Sequence, residues 1–78
     1  MDMKQFIELV AKRGYGIYGK ETIEKMAKDA GISLSPTGVA ISGNVEAAAR
    51  KFFDAYSKTT PVAAMNLKMM AKMHNIKL

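Results

Sequence analysis

The sequence predicts a mostly α-helical fold of four short helices, with a short β-hairpin, or a short helix, between helices two and three. Apolar residues recur at three- and four-residue spacing in four separate stretches, as they do on helices with one buried face. Residues suited to helix capping stand at the boundaries of those stretches. Period-two alternation occurs around a Ser-Pro-Thr-Gly turn in the middle of the chain.

The first helix is expected over about residues 2–13. Asp2 suits its N-cap, and Gln5 three residues on completes a capping-box spacing. Phe6, Ile7, Leu9 and Val10 give it an apolar face, and Gly14 and Gly16 are expected to end it. The second helix is expected over about 20–30. Ile23, Met26, Ala27 and Ala30 form its inner face, Glu21 and Glu24 lie in its first turns, and Gly31 suits a left-handed cap.

Ser35-Pro36-Thr37-Gly38 places Pro second and Gly fourth, as a type I turn prefers. Ile32 and Leu34 before it and Val39 and Ile41 after it alternate as strands of a hairpin do. A helix starting at Ser33 is the competing reading; Pro36 fits a first helical turn, whereas Gly38 would weaken it.

The third helix is expected over about 44–57, capped by Asn44. Val45, Ala48, Ala49, Phe52, Phe53 and Tyr56 make the cleanest apolar stripe, expected at the centre of the core. The fourth begins at Pro61 with Thr60 as its cap. Val62, Met65, Met69, Met73 and Ile76 repeat along it, with Met70 beside them and Lys68 and Lys72 on another face. His74 and Asn75 read as polar residues at a fraying helix end.

The 78 residues suit one small helical domain over 1–78, of the size that buries only roughly 60 to 65 per cent of its unfolded surface. Such a domain suits binding better than a deep catalytic cavity. There is no cysteine, which excludes disulfides, thiolate zinc sites and a cysteine nucleophile. His74 is the sole histidine, so a metal site is not expected either. With no evident carboxylate pair and no base beside a Ser or Thr, no catalytic residue and no cofactor are expected. The opening Met1-Asp2-Met3-Lys4 lacks a secretory pattern, and no apolar run reaches about 18 residues. A cytoplasmic protein with no membrane partner is the expectation.

Charge is uneven. Residues 1–54 hold eight Lys/Arg against seven Asp/Glu; residues 55–78 hold Lys58, Lys68, Lys72 and Lys77 and no acid. That excess favours polyanions or acidic surfaces, and is equally the pattern of a solvated helix face.

Gly14, Gly16 and Gly19 fit G-x-G-x-x-G, and Gly14 to Lys20 fits most of a P-loop. Both patterns need a preceding strand, and here a helix precedes; Glu21 also stands where the P-loop has Ser or Thr. A helix–helix connection is the simpler reading. Lys12, Arg13 and Lys20 flank Tyr15 and Tyr18, a mixture suited to single-stranded nucleic acid if the rings are exposed, and to ordinary packing if they are not.

Residues Thr22 to Ser33 resemble the first helix and turn of helix-turn-helix repressors such as the lac-repressor family. Ala27 is the small contact residue, Gly31 makes the turn, Met26, Ala30 and Ile32 are the internal apolar positions, and Ser33 would cap the next helix. The resemblance covers 12 residues of 78. It implies a recognition helix over Leu34 to Ile41, entering the major groove. Pro36, Thr37 and Gly38 depart from that pattern, and no Arg, Lys, Gln or Asn stands there to read a base edge.

Two functions follow. The first is a small basic nucleic-acid-binding protein, DNA-associated, held by phosphate contacts from Lys12, Arg13, Lys20, Lys68, Lys72 and Lys77. Tyr15 and Tyr18 would add stacking, and Ser33, Ser35 and Thr37 hydroxyl contacts. The second is a protein–protein interaction module or small subunit, possible as a homodimer or within a larger complex, using Met65, Met69, Met70 and Met73. Core packing is the simpler expectation for that methionine stripe, because so small a domain needs every apolar face. An exposed methionine row would instead mark a partner surface.

Overall fold

A computed structural model describes residues 2–36 and 38–77. The elements follow in the order α1 Met3–Tyr18, α2 Lys20–Asp29, β1 Ile32–Ser35, β2 Gly38–Ile41, α3 Val45–Ser57 and α4 Pro61–Met73. The expected fold class is therefore the observed one, with the hairpin and not the short helix between α2 and α3.

Local chemistry sets most boundaries. The Asp2 carboxylate accepts from the Gln5 N–H at 2.8 Å and the Gln5 side chain accepts from the Asp2 N–H at 3.0 Å, closing the capping box of α1. Asn44 caps α3 by accepting from the Ala47 N–H at 2.9 Å. Thr60 does the same for α4 through the Ala63 N–H at 3.0 Å, with Pro61 in the first helical position.

The end of α1 differs from expectation. The helix runs through Gly14 and Gly16 and stops only at Gly19, whose φ of 92° suits glycine. Each helical glycine costs about 1 kcal/mol in propensity, yet packing overrides it. Gly14 is buried where α1 meets Ile23 of α2 and Tyr56 of α3, a gap with no room for a side chain. One turn later the Tyr18 ring meets Tyr56 edge-on at 5.7 Å between centroids.

β1 and β2 pair antiparallel, Ile32 with Ile41 and Leu34 with Val39 on one face. Ser35 pairs with Gly38, and the Ser35 hydroxyl donates to the Gly38 carbonyl at 3.0 Å. Thr37, within the expected turn, lies outside the described residues. The hairpin packs on α1 and α2.

The C-terminus of α4 is not a fraying end. Asn75 takes the left-handed conformation (φ 56°), its N–H donates to the Lys72 carbonyl at 3.3 Å, and the Ile76 N–H donates to the Ala71 carbonyl at 2.8 Å. That pair of bonds is a Schellman cap, with asparagine in the place glycine usually fills. Half-buried Ile76 packs against the core beside it.

α3 runs through the centre, packed by α1, α2 and α4. Phe52 and Tyr56 are fully buried, Phe53 nearly so, and Phe6 meets Phe53 edge-on at 5.4 Å. From α4 the core takes Ala63, Leu67, Met70 and Ala71. Among the described residues no helix is long and apolar enough to cross a membrane.

Candidate interaction surface

Helical geometry divides α4 into two apolar rows. At 100° per residue, Ala63, Leu67, Met70 and Ala71 fall on one side and Val62, Met65, Met69 and Met73 within an arc of about 80° on the other. The first row is buried against the rest of the molecule. In the second, Val62 is 61% exposed, Met65 64%, Met69 57% and Met73 74%. The expectation that the methionine stripe packs in the core is thus corrected for three methionines and kept for Met70, which is 7% exposed and belongs to the core. The alanines explain this division. Ala63 and Ala71 bring α4 close to the core with little apolar bulk, so the bulkier row is left outside.

Lys68 and Lys72 follow along one border of the exposed row, next to Met65 on the helical projection. Among the described residues Lys68, Lys72 and Lys77 take part in no ion pair; the two ion pairs formed are Lys12–Glu8 at 3.2 Å and Lys58–Asp54 at 3.0 Å. Lys68 and Lys77 also line a groove of about 440 Å³ between α3 and α4, with Arg50 as a third cation and Glu46 and Asp54 as acids. Arg50 was not singled out in the sequence, because on α3 it reads as one more outward-facing charge.

The remaining candidates gather elsewhere. Lys12, Tyr15, Lys20 and Ser35 line a crevice between α1, α2 and the hairpin, together with Glu8 and Glu24. The acids offset the cations there. Tyr15 and Tyr18 are half-buried and pack against the core. The Tyr15 phenol is shifted upward in pKa by burial first and by the Glu24 charge second, with Lys12 opposing. Tyr18 Oη sits 3.1 Å from Thr60 Oγ1, tying the end of α1 to the start of α4. Arg13 and Ser33 are exposed. In the stretch Leu34 to Ile41, over which the helix-turn-helix resemblance implies a recognition helix, Leu34 and Ser35 lie in β1 and Gly38–Ile41 is β2, and Ser33, the implied cap, pairs with Ala40.

No family model matches the chain, and neither a curated protein nor a solved structure matches it.

Proposed function

We propose that this protein is a protein-interaction module that binds its partner through the outer face of α4. One observation carries the reading: four large apolar side chains, Val62, Met65, Met69 and Met73, stand exposed in a single row in a chain that has few apolar groups to spare. Methionine suits such a surface, since its unbranched thioether adapts to a partner's contour. The double variant M65Q/M69Q removes apolar surface while keeping unbranched, helix-compatible side chains. The wild-type chain is expected either to show a mass above 8.5 kDa in light scattering or to retain a protein of its source cell, and the variant to lose that association with unchanged circular dichroism. A variant that associates as the wild type does overturns the reading.

The second reading, a nucleic-acid-binding protein held by phosphates, is favoured by the absence of ion pairs at Lys68, Lys72 and Lys77 among the described residues. Three neutralised phosphates would give a slope of about −2 to −2.7 for log K against log salt. A gel-shift titration at two salt concentrations tests it, and no binding in dilute buffer removes it.

A further inference from the structure

We infer that the partner of the α4 face is an acidic amphipathic helix, one with an apolar row bordered by Asp or Glu. This rests on the reading of α4 as a protein-binding surface and names the chemistry that surface selects. The exposed row extends from Val62 to Met73, about 16 Å at 1.5 Å per residue, or three helical turns. Within α4 the backbone N–H and C=O groups are engaged in the helix, and its ends are closed by Thr60 and Asn75. A partner therefore gains no main-chain hydrogen bonds here and must satisfy its own backbone, which a helix does and an added strand does not.

The charge of the surface sets the partner's sign. Lys68 and Lys72 border the row, the chain holds no acid from residue 55 onward, and neither lysine has an ion pair among the described residues. Carboxylates brought beside the row find two free cations; ammonium groups brought there meet repulsion. A second copy of this chain fits less well. Its α4 offers no carboxylate to either lysine, and in an antiparallel two-fold pair the lysines of both copies fall on the same side. An anionic membrane surface also fits less well, because helices that lie in that interface carry Trp, Phe or Leu on the apolar face, whereas this row holds only Val and Met.

The test uses the full chain and three fluorescent helical peptides: one with a Leu row flanked by Glu, its counterpart flanked by Lys, and a scrambled Glu peptide that breaks the row. Polarisation titrations are expected to show binding of the Glu-flanked peptide alone, weakening with salt. K68E/K72E is expected to lose that peptide by roughly tenfold or more and to gain the Lys-flanked one. M65Q/M69Q should lose the Glu-flanked peptide and gain neither of the others. Equal binding of Glu- and Lys-flanked peptides, abolished by M65Q/M69Q, overturns the acidic partner while leaving α4 as the interaction surface. Binding of neither peptide by a chain whose self-association M65Q/M69Q abolishes overturns it in favour of a homodimer. Binding of neither peptide by a monomer that M65Q/M69Q leaves unchanged removes the interaction reading itself. Tighter binding to phosphatidylserine vesicles than to the Glu peptide overturns the inference in favour of a membrane surface.

Discussion

A Cβ placed on Gly14 would stand 2.6 Å from Ile23 Cδ1 and 2.9 Å from Ile23 Cγ1, so α1 and α2 meet at a distance that only glycine permits. Ile23 is fully buried, and Tyr56 Cε2 lies 3.1 Å from the same point, so Ile23 has little space into which to yield. Gly14→Ala gains up to about 1 kcal/mol of helix propensity but incurs overpacking of about 1–3 kcal/mol; a net loss of stability is expected in urea unfolding. Gly16 has nothing within 4 Å of its would-be Cβ, so Gly16→Ala should stabilise by about 0.4–1 kcal/mol. Ile23→Val removes the clashing Cδ1, and G14A/I23V is expected to be more stable than the sum of the single changes predicts. Strict additivity would mean that the two sites do not meet as described.

Tyr56 supplies a second test. Its ring is fully buried, and among the described residues its Oη is the buried side-chain polar atom with no hydrogen-bond partner. An unpaired buried hydroxyl costs about 1–3 kcal/mol, so Tyr56→Phe is expected to keep or raise the melting temperature. A drop equivalent to more than about 1 kcal/mol would show that the hydroxyl is satisfied in solution. Burial lifts the phenol above the ordinary 10.0, the neighbouring Tyr18 lifts it further, and Arg13 opposes. A raised pKa means that the folded state holds this proton more tightly than the unfolded chain. The contribution to stability is therefore complete below pH 10.0 and is lost as pH climbs from there through the folded-state value. Tyr56→Phe should flatten that alkaline decline, leaving the part due to Tyr15, whose phenol is shifted in the same direction.

The tests at Gly14 and Tyr56 address features that the sequence concealed, and the reason is physical. Capping is local, so Asp2, Asn44 and Thr60-Pro61 marked the helix starts within a residue. The hairpin was legible because Ile32, Leu34, Val39 and Ile41 alternate around a proline-glycine turn. The end of α1 was not, because the helix persists through Gly14 and Gly16 on account of Ile23 and Tyr56, which are distant in sequence. On α4 the periodicity revealed an apolar row, but the helix carries two. The buried row is half alanine and easily overlooked, and it is packing on α3 and α1, distant in sequence, that covers it. The site was therefore legible as a set of residues and illegible as a surface.

The ends of α4 hold the candidate surface in place. Thr60 Oγ1 both accepts from the Ala63 N–H and contacts Tyr18 Oη at 3.1 Å. Thr60→Ala removes both and should cost about 1–2 kcal/mol in chemical unfolding, whereas Thr60→Ser keeps the oxygen and most of the stability. At the other end, Asn75→Ala keeps the Cβ in the left-handed region but loses the local hydrogen bonding that lets asparagine tolerate it, and should cost about 1 kcal/mol. Asn75→Gly is expected to be neutral or better. If Asn75→Ala proves harmless, the helix end is open in solution.

Oxidation separates the two methionine rows directly. Met65, Met69 and Met73 are 64%, 57% and 74% exposed, and Met70 is 7% exposed. Dilute peroxide attacks accessible thioethers first, so peptide mass mapping should show sulfoxide at the three outer positions before Met70. Because the outer row contributes little to the core, its oxidation should leave circular dichroism and melting temperature almost unchanged. It should nevertheless abolish binding through the α4 face, since a sulfoxide is polar where the thioether was apolar. Methionine sulfoxide reductase should then restore binding. Early oxidation of Met70 together with unfolding would show that α4 is not held with its alanine row inward.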